Sequence, residues 1–466
     1  MDQRSLQALF DAQYAASRNE VHVPWSVRRD RLQRLLDMVK THSRTIAETI
    51  SRDFGQRAVA ETLLLEVFPT LEGVRHALRH GESWMKPRRV PSGLWFFPAQ
   101  SRIVPQAKGV VGIIAPWNYP LYLTVGPLLA ALVAGNRALI KMSEFAPAFA
   151  AWLQQTVPDY FAADEVAVVC GEREVAEAFA ALPFDHLLFT GSTAVGRKVM
   201  QAAAANLTPV TLELGGKSPC VVLDDADLAQ TAARIMAGKL LNAGQTCIAP
   251  DYALLPQAHL PEFIEHARAW VQKHYPQLRS GADFTRIINE RQYARLRAWL
   301  DEAAELGASI ISLGDDVADA AGRFLPPTLV TGLPAQAKLL NEEIFGPILP
   351  VVTYRDEAEA LAFIRERERP LALYGFSSDA KRLDDLLHNT VSGGASLNET
   401  IYHVAQENLP FGGIGASGMG AYHGKAGFDT FTHYKSVFIQ SKLNGTGLLA
   451  PPYGKLFQLM MKVLLR

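Results

Sequence analysis

VVGIIAPWNYPLYLTVGPLLAALVAGNRALIK, residues 110–141, is the stretch on which the fold turns. It begins with an apolar run at 110–115 that suits a buried strand, then passes between Pro116 and Pro120. An apolar helix is predicted over 121–134, closed by Gly135, and a second strand follows at 138–141. The alternation continues with strands at 166–170, 186–190 and 210–214, and helices at 147–156, 172–181 and 193–205. Five strands separated by four helices require crossover connections, and so a parallel sheet of the doubly wound, nucleotide-binding type. Ligands of such sheets gather at the carboxyl ends of the strands.

Gly215-Gly216 reads as a hinge, after which the alternation restarts. A strand at 220–223 and a helix at 228–242 lead into a second α/β domain. Further helices are predicted near 261–273, 291–305 and 357–367, and strands at 329–333, 349–354 and 371–376. Residues 1–85 are read as helical, from stripes such as Leu32, Leu35, Leu36, Val39 and Val67, Leu71, Val74, Leu78, with Pro69 a candidate kink. The basic run Arg28, Arg29, Arg31 and Arg34 reads as a solvated face. At 86–108 prolines punctuate two short strand-like runs, Leu94-Trp95-Phe96-Phe97 and Ser101-Arg102-Ile103-Val104. They suggest a projecting hairpin, packed either on a second subunit or on its own domain. The resulting division is 1–85 with 109–215 as the nucleotide-type domain and 216–415 as the second domain. Segments 86–108 and 430–445 form an oligomerisation arm, and 446–466 a tail. That tail, from Lys455 to Arg466, is a basic amphipathic helix in prospect. It suits a membrane surface, although docking over the site's entrance or on a partner subunit is preferred.

The bulk properties bound the rest. A chain of 466 residues exceeds a single core. With 48% hydrophobic and 20% charged residues it has the composition of a soluble globular protein. Its 46 basic and 47 acidic residues leave no excess to suggest nucleic acid. Cys170, Cys220 and Cys247 are its only cysteines, odd in number and without CxxC spacing. Neither a disulfide framework nor a cysteine-rich metal site is indicated, which fits a reducing compartment. No signal-type start after Met-Asp-Gln-Arg-Ser and no long apolar window is present, so a cytoplasmic protein is expected.

Several short segments carry chemistry. In Gly244-Gln245-Thr246-Cys247-Ile248-Ala249-Pro250 the cysteine is either a nucleophile or an ordinary half-buried thiol. Pro116-Trp117-Asn118-Tyr119-Pro120 fixes the backbone around one amide, either an oxyanion donor or a turn residue. Lys141 and Glu144, three apart at a strand end, suit the hydroxyls of a ribose or a surface ion pair. Gly191, Ser192 and Gly196 flank a helix start whose free N–H groups favour a phosphate, although the spacing is not that of G-x-G-x-x-G. Glu213, beside Gly215-Gly216, suits a base that activates water or a structural carboxylate. Asn341-Glu342-Glu343-Ile344-Phe345-Gly346-Pro347 again sets a carboxylate and an aromatic at a turn. Tyr119-Pro120-Leu121-Tyr122-Leu123 offers an apolar entrance. Cys170 and Cys220 are placed in buried strands, and His403 and His423 in loops or at the rim.

These segments, with Asn408-Leu409-Pro410-Phe411-Gly412-Gly413, stand in the order found in the aldehyde dehydrogenase superfamily, which the chain resembles from residue 116 to 413. Gln245–Tyr252 and Ser417–Lys425 are similar to its class 3 branch. His403-Val404-Ala405-Gln406 and Pro451-Pro452-Tyr453-Gly454 are similar to its coniferyl aldehyde dehydrogenase subgroup. The resemblance implies that Cys247 is the nucleophile, Glu213 the general base, and Asn118 with the Cys247 N–H the oxyanion hole. It further implies a cofactor, NAD with NADP possible, held by Trp117, Lys141, Glu144, Gly191, Ser192, Gly196, Leu214, Gly215, Glu343 and Phe345. Glu144 should repel a 2′-phosphate. Met142 departs from the proline usual in the family, which bears on the ribose site. The implied reaction is metal-free oxidation of an aromatic or medium-to-long aliphatic aldehyde to its acid, in a homodimer. The alternative is a cysteine-dependent esterase using the same pocket without redox chemistry. A non-catalytic cofactor-binding protein is a third reading, disfavoured because binding alone needs no Cys, Glu and Asn together.

Overall fold

The computed structural model describes residues 3–445, 447 and 450–465. Met1, Asp2, Thr446, Leu448, Leu449 and Arg466, which the readings of the amino terminus and of the tail include, lie outside the described residues.

The strand Val110–Ile114 pairs in parallel with Arg137–Lys141 on one side and His186–Thr190 on the other. Val166–Val169 extends the first side and Val210–Glu213 the second. The chain therefore runs outward for three strands, returns, and fills the other flank. This reversal opens a crevice at the carboxyl ends of Val110–Ile114 and His186–Thr190. All residues of those two strands are buried, as a sheet covered by helices on both faces demands. Helix Tyr122–Val133, apolar nearly all round, packs against this sheet; Gly135 ends the turn beyond it at φ +91°.

Beyond Gly216 a second sheet runs in the order Ser309–Ser312, Thr328–Thr331, Ile348–Tyr354, Tyr252–Pro256, Pro219–Val222, Ala372–Phe376, Gly394–Leu397. It is parallel except for the edge strand Ser309–Ser312. The chain then returns to the first sheet, where Gly418–Met419 adds an antiparallel edge to Val210–Glu213. A third sheet joins Arg88–Val90, Gln100–Ala107 and Thr432–Ile439. The mixed α/β architecture is the expected one.

Some local expectations fail. The aromatic run at 94–97 is not a strand: Leu94–Phe96 is one 3₁₀ turn, and Arg88–Val90 pairs with Ser101–Ile103 instead. Pro91 and Pro98 bracket the aromatics, and proline cannot donate to a ladder. Leu94, Trp95 and Phe97 are left more than 70% exposed. The basic run is not a solvated face either. Arg28 and Arg31 are buried: Arg28 donates to the carbonyls of Val23 and Val133 at 2.9 Å each, and Arg31 to Glu165 at 2.9 Å. Only Arg29 of the run is exposed and Arg34 is half-buried. Cys170 lies one residue past its strand and is half-buried, whereas Cys220 is inside Pro219–Val222 and buried. In the tail, Lys455–Leu464 is a helix with Leu456, Leu459 and Val463 exposed. Among the described residues no helix is long and apolar enough to cross a membrane.

Candidate active site

Asn118 stands in the loop that leaves the central strand Val110–Ile114, at the crevice where the strand order reverses. Cys247 stands in the loop ahead of Tyr252–Pro256, a central strand of the second sheet. Glu213 ends Val210–Glu213, two residues before Gly215-Gly216. All three line one cavity of about 240 Å³ between the two sheets. Trp117, Gly191, Ser192, Leu214, Gly215, Glu343 and Phe345 line it as well. So do Thr190, Leu123, Gln292 and Arg295, of which Gln292 and Arg295 carried no sign of a site in the sequence.

The cysteine loop is tightly held. Asn242, Ala243 and Gly244 all adopt left-handed backbone, with φ of +52°, +50° and +74°. A side chain on Gly244 would strike the Gly346 carbonyl 2.2 Å away, which demands glycine there. Asn118 Nδ2 donates to the Gln245 carbonyl at 3.2 Å, and Asn242 Nδ2 donates to the Asn118 carbonyl at 3.0 Å. Tyr119 and Thr246 share a hydroxyl hydrogen bond of 2.7 Å. Gln245, fully buried, accepts from the Ile288 N–H at 2.9 Å.

Burial dominates the electrostatics of the site. Burial pushes the Cys247 thiol up to about 12, with the charges of Glu343 and Glu213 adding and the N–H groups of Cys247 and Ile248 opposing. Glu213 is buried, neither carboxyl oxygen has a hydrogen-bond partner, and burial holds its pKa well above the carboxylate range. Glu343 is pushed to about 8 by burial, with Asp251 adding and the Gly216 N–H opposing. A thiol, a carboxyl with spare acceptor capacity and an amide donor thus converge. That set can add sulfur to a carbonyl, hold the resulting oxyanion and take a proton from water.

A nicotinamide dinucleotide fits the remaining lining. A Cβ on Gly215 would lie 2.1 Å from the Glu343 carboxylate, so glycine is what lets that acid reach the cavity, and Glu343 Oε1 is left without a partner. Phe345 meets Trp117 edge to face at 5.4 Å. Gly191 and Ser192 lead into helix Thr193–Ala204, whose amino end favours a phosphate. Gly196 does not line the cavity; it makes room for Leu214, 2.6 Å from where its Cβ would be. Nor do Lys141 and Glu144 line it. Lys141 is buried at the end of the neighbouring strand and donates to the Met142 carbonyl at 2.7 Å, while Glu144 is exposed.

His403 and His423 are both in loop segments, as expected. His423 is buried within its loop, stacked on Phe411 at 5.3 Å and 3.4 Å from the Tyr122 hydroxyl, and burial lowers its pKa to about 3. His403 sits in the 3₁₀ turn Tyr402–Ala405 with Ser396 Oγ at 3.0 Å.

The model of the Aldehyde dehydrogenase family matches residues 1–437, and the chain belongs to that family. It is an aldehyde dehydrogenase, of a family that uses NAD or NADP. It is 49% identical over 462 residues to "Probable coniferyl aldehyde dehydrogenase" of Pseudomonas aeruginosa, covering 99% of this chain and 96% of the relative. It is 39% identical over 431 residues to "Aldehyde dehydrogenase family 3 member A2" of Pongo abelii, covering 92% and 87%, in keeping with a class 3-like branch. The solved structure "Substrate bound state of Staphylococcus Aureus AldH" matches with a TM-score of 0.93 at 37% identity, covering 98% of this chain and 99% of that one. PnpE in complex with nicotinamide adenine dinucleotide matches with a TM-score of 0.86 at 25% identity, covering 97% and 92%.

Proposed function

We propose that this enzyme oxidises an aromatic aldehyde such as coniferyl aldehyde, or a medium-to-long aliphatic one, to the carboxylic acid. NAD is the preferred cofactor and NADP is accepted. The observation that carries the reading is the single cavity lined by Cys247, Glu213 and Asn118 together with Trp117, Glu343 and Phe345.

Cys247 adds as thiolate to the aldehyde carbon, forming a thiohemiacetal. Asn118 Nδ2 and the Cys247 N–H receive the oxyanion, an effect of roughly 3–4 kcal/mol per donor in sites of this kind. When bound, the oxidised nicotinamide supplies the acceptor for the hydrogen that leaves the carbonyl carbon as hydride. Trp117, Leu214, Gly215, Glu343 and Phe345 hold that end of the cofactor, Gly191 and Ser192 its pyrophosphate, and Lys141 and Glu144 its adenosine ribose, with Gly196 shaping the helix start. Glu213 then takes a proton from water as the oxygen adds to the thioester carbon. The C–S bond breaks, Cys247 is regenerated, and the acid leaves. Burial of Glu213 suits it to hold that proton.

The substrate class is supported by the apolar cluster Tyr119, Tyr122 and Leu123, against which Leu65 and Val404 pack. Leu123 reaches the cavity itself. Residues 1–85 and 109–215 serve as the cofactor domain and 216–415 as the cysteine domain, in a cytoplasmic homodimer joined through 86–108 and 430–445. The exposed face of Lys455–Leu464 docks over the site's entrance or on the partner subunit, in preference to a membrane surface. An aldehyde panel run with NAD and with NADP tests the reading. Ester turnover without any aldehyde-dependent reduction of the cofactor would favour the cysteine-dependent esterase instead.

A further inference from the structure

The segment 116–121 that carries Asn118 belongs to no helix or strand, so no ladder sets its position. Its position is set by a buried ionic group from the amino-terminal region, Arg57 in the loop after Ser43–Phe54 and Glu66 in the π turn Leu63–Val67. Arg57 and Glu66 are both fully buried and joined at 2.8 Å. The same Arg57 Nη1 donates to the Asn118 carbonyl at 3.3 Å, and the guanidinium lies 4.9 Å over the Tyr119 ring. Glu66 Oε2 accepts the N–H groups of Leu121 and Tyr122 at 2.8 and 3.2 Å, the first turn of helix Tyr122–Val133. Glu66 gains this reach from the π turn Leu63–Val67, a local widening often met at functional sites. Its neighbour Glu61 accepts the Asn242 N–H, and Asn242 in turn holds the Asn118 carbonyl. Asn118 thereby has its peptide gripped from two sides, while one of its two amide hydrogens is committed to Gln245. The other is free to face the cavity that Asn118 lines.

We propose that Arg57, acting with Glu66, is a positioning residue for the oxyanion donor: it sets the Asn118 peptide so that the second carboxamide N–H meets the substrate oxygen. The inference rests on Asn118 being that donor. An apolar pair of similar volume would tether the helix as well, since a buried ion pair is a poor device for stability alone. What the guanidinium fork adds is direction, one donor group shared between a carboxylate and a peptide carbonyl.

The test is a double-mutant cycle on kcat at saturating aldehyde and NAD. Arg57→Lys and Glu66→Gln are each measured in the native background and in Asn118→Ala. Each should lower native kcat about tenfold or more with KM for NAD within about twofold, yet change kcat less than about twofold once Asn118 is gone. A general loosening of the fold would cost the same factor in both backgrounds, and that result, or unchanged native kcat, overturns the proposal. Should Arg57→Lys not accumulate as folded protein, Glu66→Gln in the same two backgrounds decides alone. Native activity in Asn118→Ala itself would overturn the oxyanion assignment, and this proposal with it. An impaired Asn118→Ala with additive effects overturns this proposal only.

Discussion

The carboxamide of Asn118 donates to the carbonyl oxygen of Gln245 across 3.2 Å, tying the first loop of one sheet to the cysteine loop of the other. Two loops 127 residues apart in sequence are thereby set against each other beside Cys247. With Asn118 as oxyanion donor, Asn118→Ala should lower kcat by roughly 10²–10³ while KM for NAD changes little. Steady-state kinetics check this, and a variant that loses only cofactor affinity would count against the role.

Glu213 has two unpartnered, buried carboxyl oxygens and a pKa raised well above the usual range by burial. As the base for thioester hydrolysis, its loss should slow the second half of the reaction. Glu213→Gln is expected to release one equivalent of reduced nicotinamide per site in a burst, then turn over slower by about 10²–10⁴. Rapid mixing and intact mass of the acylated protein check this. A variant with no burst and no acyl adduct would place Glu213 before hydride loss.

The Cys247 thiol, pushed up to about 12 by burial and by the charges of Glu343 and Glu213, is mostly protonated at neutral pH in the free enzyme. Its thiolate fraction therefore rises with pH, and iodoacetamide should label Cys247 about tenfold faster per pH unit between pH 7 and pH 10. Peptide mass spectrometry reads the rate at that cysteine. A plateau reached below pH 8 would show a thiol activated in the free enzyme instead.

Lys239 is buried in helix Leu228–Leu240 with its ammonium unpartnered, and burial lowers its pKa to about 8. The folded value lies below that of an unfolded lysine, about 10.4. The charged form thus destabilises the fold at every pH below 8, and the penalty fades as pH climbs to the unfolded value. Lys239→Met should raise Tm at pH 7, by up to ~3 kcal/mol of stability, with a smaller gain at pH 10. Thermal unfolding at the two pH values checks this; a gain that grows with pH would reverse the sign of the argument.

How much of this was legible in the chain can be argued from particular residues. The strands of the first sheet are continuous apolar runs between helices, so their period and parallel pairing could be read directly. Cys247, Glu213 and Asn118 were open candidates, each a reactive type near glycine or proline at the end of an element, and the ordered motifs shared with the aldehyde dehydrogenase superfamily implied their roles. The edge strand Gly394–Leu397, half-exposed and holding a glycine, an alanine and a serine, carries almost no strand signal. Arg28, Arg31, Arg57 and Glu66 were invisible as interior groups for a different reason. A charge is buried only because a distant partner meets it, and Val133, Glu165 and Asn118 lie 105, 134 and 61 residues from the arginines they satisfy. Gln292 and Arg295 belong to the same class: polar positions on an amphipathic helix, brought to the cavity by tertiary packing.

The most direct test of the account is aldehyde-dependent formation of reduced nicotinamide by Cys247→Ala, set beside the native enzyme with the same aldehyde and NAD. With Cys247 as the covalent nucleophile, the variant should bind NAD as the native enzyme does and lose about 10⁴-fold or more of its turnover. Turnover within about tenfold of the native rate would contradict a thiohemiacetal and thioester route through this cysteine.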